Sequence, residues 1–372
     1  MTAPTKARRN PPFRAEHIGS LLRPRALKDA FKAHSAGEIG DEAFETAKRA
    51  AIRDVVAMQE GLGLEMVTDG EFRRKSYWGH WVDAIDGFDV APSLFTFHDE
   101  SGAEQEFIAA DCVGPLRKAA PISTEEFAFL KTAAKTAEPK ITMPSPSTLH
   151  FWRLSKTIEG SGYATDEAFF DDLCAIFRQE IADLAVLGCR YVQLDEVPLI
   201  MLGSPVVCER VRALGGDPDR LLDLYIEAMN AAVRGRGDTV AGMHMCRGNF
   251  RGKWLSEGGY DLISERVFQY VEVDAFMLEY DTERSGGFEP LRHVPDDKSV
   301  VLGIVSSKVP EIEAAGELKR RIDEAARHID RERLSLSPQC GFASTVAGNP
   351  VREEDERAKL ETIVRVARDA WA

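Results

Sequence analysis

The stretch Thr239-Val-Ala-Gly-Met-His-Met-Cys-Arg-Gly-Asn249 decides how this chain reads. Its apolar run predicts a buried strand over residues 240–246. Alternate residues of a strand share a face, so His244 and Cys246 should project together from one end of a sheet. An imidazole beside a thiol is half of a metal site. Alone the pair is a weak signal, because cysteine is also a common core residue. Two distant runs strengthen it: Ala275-Phe-Met-Leu-Glu-Tyr-Asp281 supplies Glu279, and Leu334-Ser-Leu-Ser-Pro-Gln-Cys340 ends in Cys340. One histidine, two cysteines and a glutamate form a donor set suited to Zn2+.

Working outward, the sequence repeats one unit from about residue 14: a short apolar run, a polar or Gly-rich loop, then a segment of helical period. Strands are predicted over 15–21, 66–71, 141–145, 191–196, 240–246, 275–281, 300–306 and 334–340. Helices are predicted over 26–36, 41–62, 166–187, 220–234, 262–270, 311–330 and 353–370. Alternating strands and helices imply parallel pairing with right-handed crossovers, and eight such units imply an α/β fold of the (β/α)8 TIM-barrel type. Residues 1–13 read as a flexible arm and 14–372 as a single catalytic barrel. An excursion over about 78–120, a hairpin carrying Phe95-Thr-Phe97, interrupts the pattern after the second strand. Loops at that end of a barrel face the active site, so the excursion is expected to act as a lid.

Composition narrows the function. The 372 residues are 44% hydrophobic and 29% charged, as in an ordinary globular protein, and carry a formal net charge of −14. That balance argues against nucleic acid or an anionic membrane as the main partner. The N-terminal arm lacks the apolar stretch of a signal peptide, and no run reaches transmembrane length, so a cytoplasmic location is expected. The six cysteines read as free thiols or ligands. Cys208 is expected in an irregular Val-Val-Cys-Glu-Arg segment. A homo-oligomer stays open.

In a barrel the carboxyl ends of the strands converge on one mouth. They would bring Ser20, Glu71, Asp195, His244, Cys246, Glu279 and Cys340 together. Two thiolates and a carboxylate on Zn2+ sum to −1, a poor centre for polarising a carbonyl but a good one for holding an electron-rich thiolate. The expected reaction is alkyl transfer to a bound thiol. Glu71 and Asp195, with the backbone of Ile18, Gly19 and Ser20, could clamp the ammonium and carboxylate of an amino-acid thiol. The plain alternative is that these acids cap the following helices.

The motifs His17-Ile-Gly-Ser-Leu-Leu-Arg-Pro24, Asp69-Gly-Glu-Phe-Arg73, Gln193-Leu-Asp-Glu196 and His244-Met-Cys246, with Glu279 and Cys340, resemble the cobalamin-independent methionine synthase family. The resemblance is to its C-terminal catalytic barrel and to the single-barrel branch. It implies zinc on His244, Cys246, Glu279 and Cys340, and the substrate amino acid on Ile18, Ser20, Glu71 and Asp195. It also implies that Trp152 stands near a folate ring, and that homocysteine takes a methyl group to give methionine through a zinc-bound thiolate. The partners so implied are a small thiol and a methyl or alkyl donor, with methyl folate as one candidate.

Departures limit what carries over. The full-length synthases have two barrels, and this sequence matches one. Where they resemble Asp-x-His-Ser-Pro-Arg, this chain reads Gly303-Ile-Val-Ser-Ser-Lys308, so the histidine thought to pass a proton is missing. Cys246 is followed by Arg247, a cation beside the expected metal. Two alternatives stay open: thiol alkylation like that of epoxyalkane:coenzyme M transferase, and a zinc-binding barrel without turnover.

Overall fold

The computed structural model describes residues 11–98, 101–249, 253–343 and 345–372. Most of the N-terminal arm and the tip of the 78–120 excursion, at 99–100, lie outside them. Ten strands are present among the described residues: β1 (Met66–Val67), β2 (Ile85–Pro92), β3 (Ile108–Lys118), β4 (Glu138–Pro139), β5 (Ile141–Pro144), β6 (Tyr191–Asp195), β7 (Val240–Met245), β8 (Ala275–Glu279), β9 (Ser299–Val305) and β10 (Leu334–Pro338).

β5 to β10 form one parallel sheet in the order β10-β9-β8-β7-β6-β5, each strand beside its neighbour in sequence. Every residue of β6 and β8 is buried, as expected where helices cover one face and a barrel interior the other. β1 pairs in parallel with β4, and Lys140 N donates to Val67 O at 2.8 Å, so this pair runs on into β5. At the other edge Ala15 bridges Leu336 in parallel. One seam differs. Between residues 15–21 and β1 no ladder forms among the described residues, and the link is Leu21 N to Gly70 O at 3.1 Å with Thr68 Oγ1 to Gly19 O at 2.6 Å. The architecture is therefore a parallel α/β fold with eight strand positions in barrel order, in which residues 15–21 meet β10 through a single bridge and β1 through those two bonds.

Most of the expected strands lose only a residue or two at their ends, and two fall far short of their patterns. The run expected over 66–71 keeps only β1, because Gly70 and Glu71 at φ 71° and 60° turn the chain out of the extended region. Residues 15–21 keep a single bridge. The helices over 166–187 and 41–62 appear as Asp166–Val186 and Asp41–Leu62. Thr165 Oγ1 caps the first by accepting from Ala168 N, and Gly63 ends the second in the left-handed conformation. The helix expected over 311–330 begins later, at Ala315–Ala325.

Cys208 corrects another expectation: it lies on the helix Pro205–Ala213. Pro205 at the first helical position is the start signal that Val206 and Val207 obscured. Within the 78–120 excursion, β2 and β3 form an antiparallel pair whose connection carries Phe95 and Phe97.

Candidate metal and thiol site

Parallel register sets the site. Asp195 on β6 is level with His244 on β7, His244 with Met277 on β8, and Glu279 with Gly303 on β9. Cys246 follows β7 by one residue and Cys340 follows β10 by two. The strands thus end together, and their ends supply the donors.

His244, Cys246 and Cys340 come together with their ligand atoms within 4.8 Å of one another, all buried. The two sulfurs are 3.7 Å apart and both cysteines are free. Two zinc–sulfur bonds of about 2.3 Å at a tetrahedral angle would separate their sulfurs by roughly 3.8 Å. His244 Nδ1 donates to the Met277 carbonyl at 3.2 Å, while Nε2 is buried with no nitrogen or oxygen partner among the described residues and faces the Cys340 sulfur. A histidine anchored through one nitrogen with the other turned toward the remaining donors is the usual arrangement of a metal ligand. The donor set therefore fits a thiophilic cation such as zinc. Hydrogen bonding with Cys246 pushes the Cys340 thiol well down, and Cys246 moves up in turn.

Glu279 lies outside this triad. Its Oε1 accepts from Lys308 Nζ at 2.9 Å and Arg284 at 3.2 Å, and its Oε2 accepts from Arg247 N at 2.8 Å. Burial opposes its charge, yet Lys308 and Arg247 hold its carboxyl down at about 2.

The triad opens into a cavity of about 570 Å3 that Ile18, Ser20, Glu71, Trp152 and Asp195 also line. Gly19 stands behind this wall at φ 135°, where a Cβ would come within 2.5 Å of Thr142 Cγ2. Ser20 Oγ accepts from Ala343 N at 3.4 Å, next to the loop that carries Cys340. Glu71 Oε1 accepts from Thr142 Oγ1 at 2.7 Å, with Arg74 3.7 Å away. Burial raises its carboxyl. Asp195 Oδ1 accepts from Gln193 Nε2 at 2.7 Å, and burial pushes its carboxyl up to about 7. Two buried acids raised in this way, and facing one space, are poised to receive a cationic group. Trp152 meets Phe107 and Phe95 edge to face at 5.4 and 6.1 Å, closing the aromatic wall toward the β2–β3 pair.

Several cavity residues escape sequence reasoning. Tyr77 lines the space, and burial, with Cys246 and Asp195 nearby, keeps its phenol protonated far above the usual range. His80 lines it with both ring nitrogens unpartnered among the described residues. Both fall at the start of the excursion, where no period marks a role. A polar aromatic so close behind a strand end was the available signal.

The fold is of the parallel α/β barrel type, and one cavity brings a buried His-Cys-Cys cluster together with two acids. Residues 13–369 match the family model of the cobalamin-independent synthase catalytic domain, and the chain belongs to that family. The Bacillus subtilis (strain 168) protein YxjH is 39% identical over 374 residues, covering 99% of this chain and 97% of its own. A methionine synthase of Pyrococcus abyssi is 27% identical, over 87% of this chain and 85% of its own. A solved structure from Listeria monocytogenes, assigned as a vitamin-B12 independent methionine synthase, superposes with a TM-score of 0.75 at 30% identity, covering 98% of this chain and all of that one. The family is one of methyltransferases.

Proposed function

We propose that this protein transfers a methyl group to the thiol of homocysteine, giving methionine, at a zinc centre held by His244, Cys246 and Cys340. The observation that carries the reading is two free thiols 3.7 Å apart with the His244 ring within ligand distance of both, in the same cavity as Glu71 and Asp195. Zinc bound there would let an incoming thiol react as a thiolate at neutral pH. Glu279, the fourth residue that the sequence assigns to the metal, shares the electrostatic field of both thiols.

The chain's own residues orient the acceptor. Glu71 and Asp195 offer carboxylates to an ammonium, and the backbone of Ile18, Gly19 and Ser20 lies beside them for the amino acid's carboxylate. An arriving ammonium would keep Asp195 ionised near neutrality, where burial otherwise favours its proton. This acidic pair favours an amino-acid thiol over a sulfonated one. Trp152, Phe97 and Phe107 offer flat apolar walls to the donor, which suits a ring-bearing methyl carrier such as a methyl folate. A site that depends on free thiols needs a reducing compartment, which supports the cytoplasm.

The test is to incubate the zinc-loaded protein with homocysteine and a panel of methyl donors that includes methyltetrahydrofolate. Methionine is the expected product. Failure of every donor, with zinc bound, would remove the catalytic reading.

A further inference from the structure

Behind the cavity wall lies a second polar cluster, built where β5 and β6 run out. Glu196 follows β6 by one residue, Ser145 follows β5 by one, and both are fully buried. Glu196 Oε1 accepts from Leu199 N at 2.8 Å, and its Oε2 accepts from Ser147 Oγ. Ser147 Oγ bonds Ser145 Oγ at 2.8 Å, and Ser145 Oγ bonds Thr148 Oγ1 at 2.9 Å. Thr148 in turn shares a hydrogen bond with the phenol of Tyr77, which lines the cavity beside Asp195 and Cys246. A continuous line of buried hydroxyls therefore joins a carboxyl to the substrate space.

Turn capping accounts for only part of this cluster. Thr148 N donates to Ser145 Oγ at 3.3 Å, at the start of the short helical turn Ser147–Leu149. That bond needs neither a carboxylate on Ser147 nor a phenol on Thr148. A hydroxyl both donates and accepts, so a line of them passes a proton by exchanging one O–H bond for the next. Ser147 already donates toward Glu196, and either partner can donate in the next two bonds. The two ends suit such a transfer. Burial pushes the Glu196 carboxyl up to about 7, and both its oxygens meet neutral donors. Among the described residues, the phenols of Tyr77 and of Tyr225, from the helix Pro218–Val233, respond to its charge. Burial keeps both protonated far above neutrality. Glu196 is thus the member that changes state near neutral pH, and Tyr77 passes a proton on only as it receives one.

We propose that Ser147, Ser145 and Thr148 form a proton relay between the cavity, entered at Tyr77, and a store on Glu196. The relay rests on the reading in which a thiol is methylated here. As the thiol ionises, its proton moves to Tyr77 Oη, the Tyr77 proton moves to Thr148 Oγ1, and so along the line to Glu196 Oε2. The net change is one S–H bond broken and one O–H bond formed, with no electron transferred. In methyl transfer the sulfur pair forms the new S–C bond, and the pair of the broken bond stays on the carrier. For an amine carrier the atom left with that pair is nitrogen, and the line runs back to protonate it.

The experiment compares zinc-loaded wild type, Tyr77→Phe, Ser147→Ala and Glu196→Gln. Each is assayed at saturating homocysteine with methyltetrahydrofolate, or the panel donor that gives turnover, in the presence and absence of imidazole. Each variant should lower kcat by about 100-fold, the usual worth of a positioned proton-transfer group, with KM for homocysteine and zinc content unchanged. Imidazole can carry a proton between solvent and the cavity, so it should raise kcat of Ser147→Ala by about tenfold and leave wild type unchanged. A kcat within about threefold of wild type in both Ser147→Ala and Tyr77→Phe overturns the relay. So does a loss that falls on KM, or one that imidazole does not repair. If Glu196→Gln fails to fold, the other two variants decide. Wild type that makes no methionine from any donor removes the proposed function and the relay with it. Active wild type with unaffected variants removes the relay alone.

Discussion

The two halves of the site are positioned by different physics. His244, Cys246, Glu279 and Cys340 hang from β7, β8 and β10, where parallel ladders fix each strand end against the next. Ser20 and Glu71 sit across the seam that has no ladder, and side chains do the work of the missing strand pairs there. Gln59 Nε2 and Oε1 each bond the Thr68 backbone at 2.9 Å, and His17 Nε2 donates to the same Gln59 oxygen at 2.8 Å. Arg23 reaches the carbonyls of Glu71 and Arg74 at 2.7 Å. Arg74 in turn pairs Glu126 at 2.7 Å and bonds Thr142 Oγ1 at 2.8 Å. Lys140 crosses the barrel floor from Glu16 at 3.2 Å to Gln193 at 2.9 Å, and Gln193 holds Asp195. Backbone register tolerates many side chains, whereas a buried polar network fails when one member goes. Damage to the ladder half should therefore show first in the metal, and damage to the network half in substrate affinity and stability.

The largest effect belongs to the ladder half. Cys340→Ser should lower methionine formation by more than about 100-fold, beyond what loss of an outer-shell partner costs. Metal analysis should find far less than one zinc per chain, with the fold intact by circular dichroism. Full zinc content would break the comparison.

Next comes Arg74→Met in the network half. It strands Glu126 and Glu71 in a buried setting, and breaking such a pair costs roughly 3–5 kcal/mol. Urea denaturation should report that loss while the folded protein keeps its zinc. A stable variant with altered metal content would show that the halves are not separable.

Asp195→Asn is a milder cut between the two halves. Losing one charge-assisted hydrogen bond of about 1.5–3 kcal/mol weakens homocysteine by roughly 10- to 100-fold. Equilibrium binding should show that loss at unchanged zinc stoichiometry.

The smallest effect is pH-dependent. Glu356 Oε2 accepts from Leu22 N at 2.8 Å and ties the last helix, Glu353–Ala370, to the seam. Burial raises its carboxyl to about 8. Its folded pKa therefore lies above the unfolded one, and the native state binds more protons between about 4.5 and 8. Stability is lost as the pH rises through that window. Glu356→Gln keeps the acceptor and removes the titration, so its advantage over wild type should widen from about pH 5 to 8 and then level off. Thermal unfolding across that range measures it, and a constant gap would count against the burial argument.

Legibility follows the same division. The runs behind β6, β7, β8, β9 and β10 could be read because buried parallel strands are continuous apolar stretches, and their last residues name the chemistry. The triad was thus visible as His244, Cys246 and Cys340. The network half was harder to read. The sequence names Glu71 as a strand-end acid, but its place comes from a backbone at φ 60° beyond β1 that the strand pattern does not show. Arg74, Lys140 and Lys308 act on partners 52, 124 and 29 positions away, so no local period records them. Glu279 ends β8 as its run suggests, and the cations Lys308 and Arg284 beside it become visible only in the fold.

The most direct measurement is zinc-edge X-ray absorption on protein loaded with one equivalent of zinc. The account predicts two sulfur scatterers at about 2.3 Å together with the signature of one imidazole. A zinc surrounded by oxygen and nitrogen alone would contradict it.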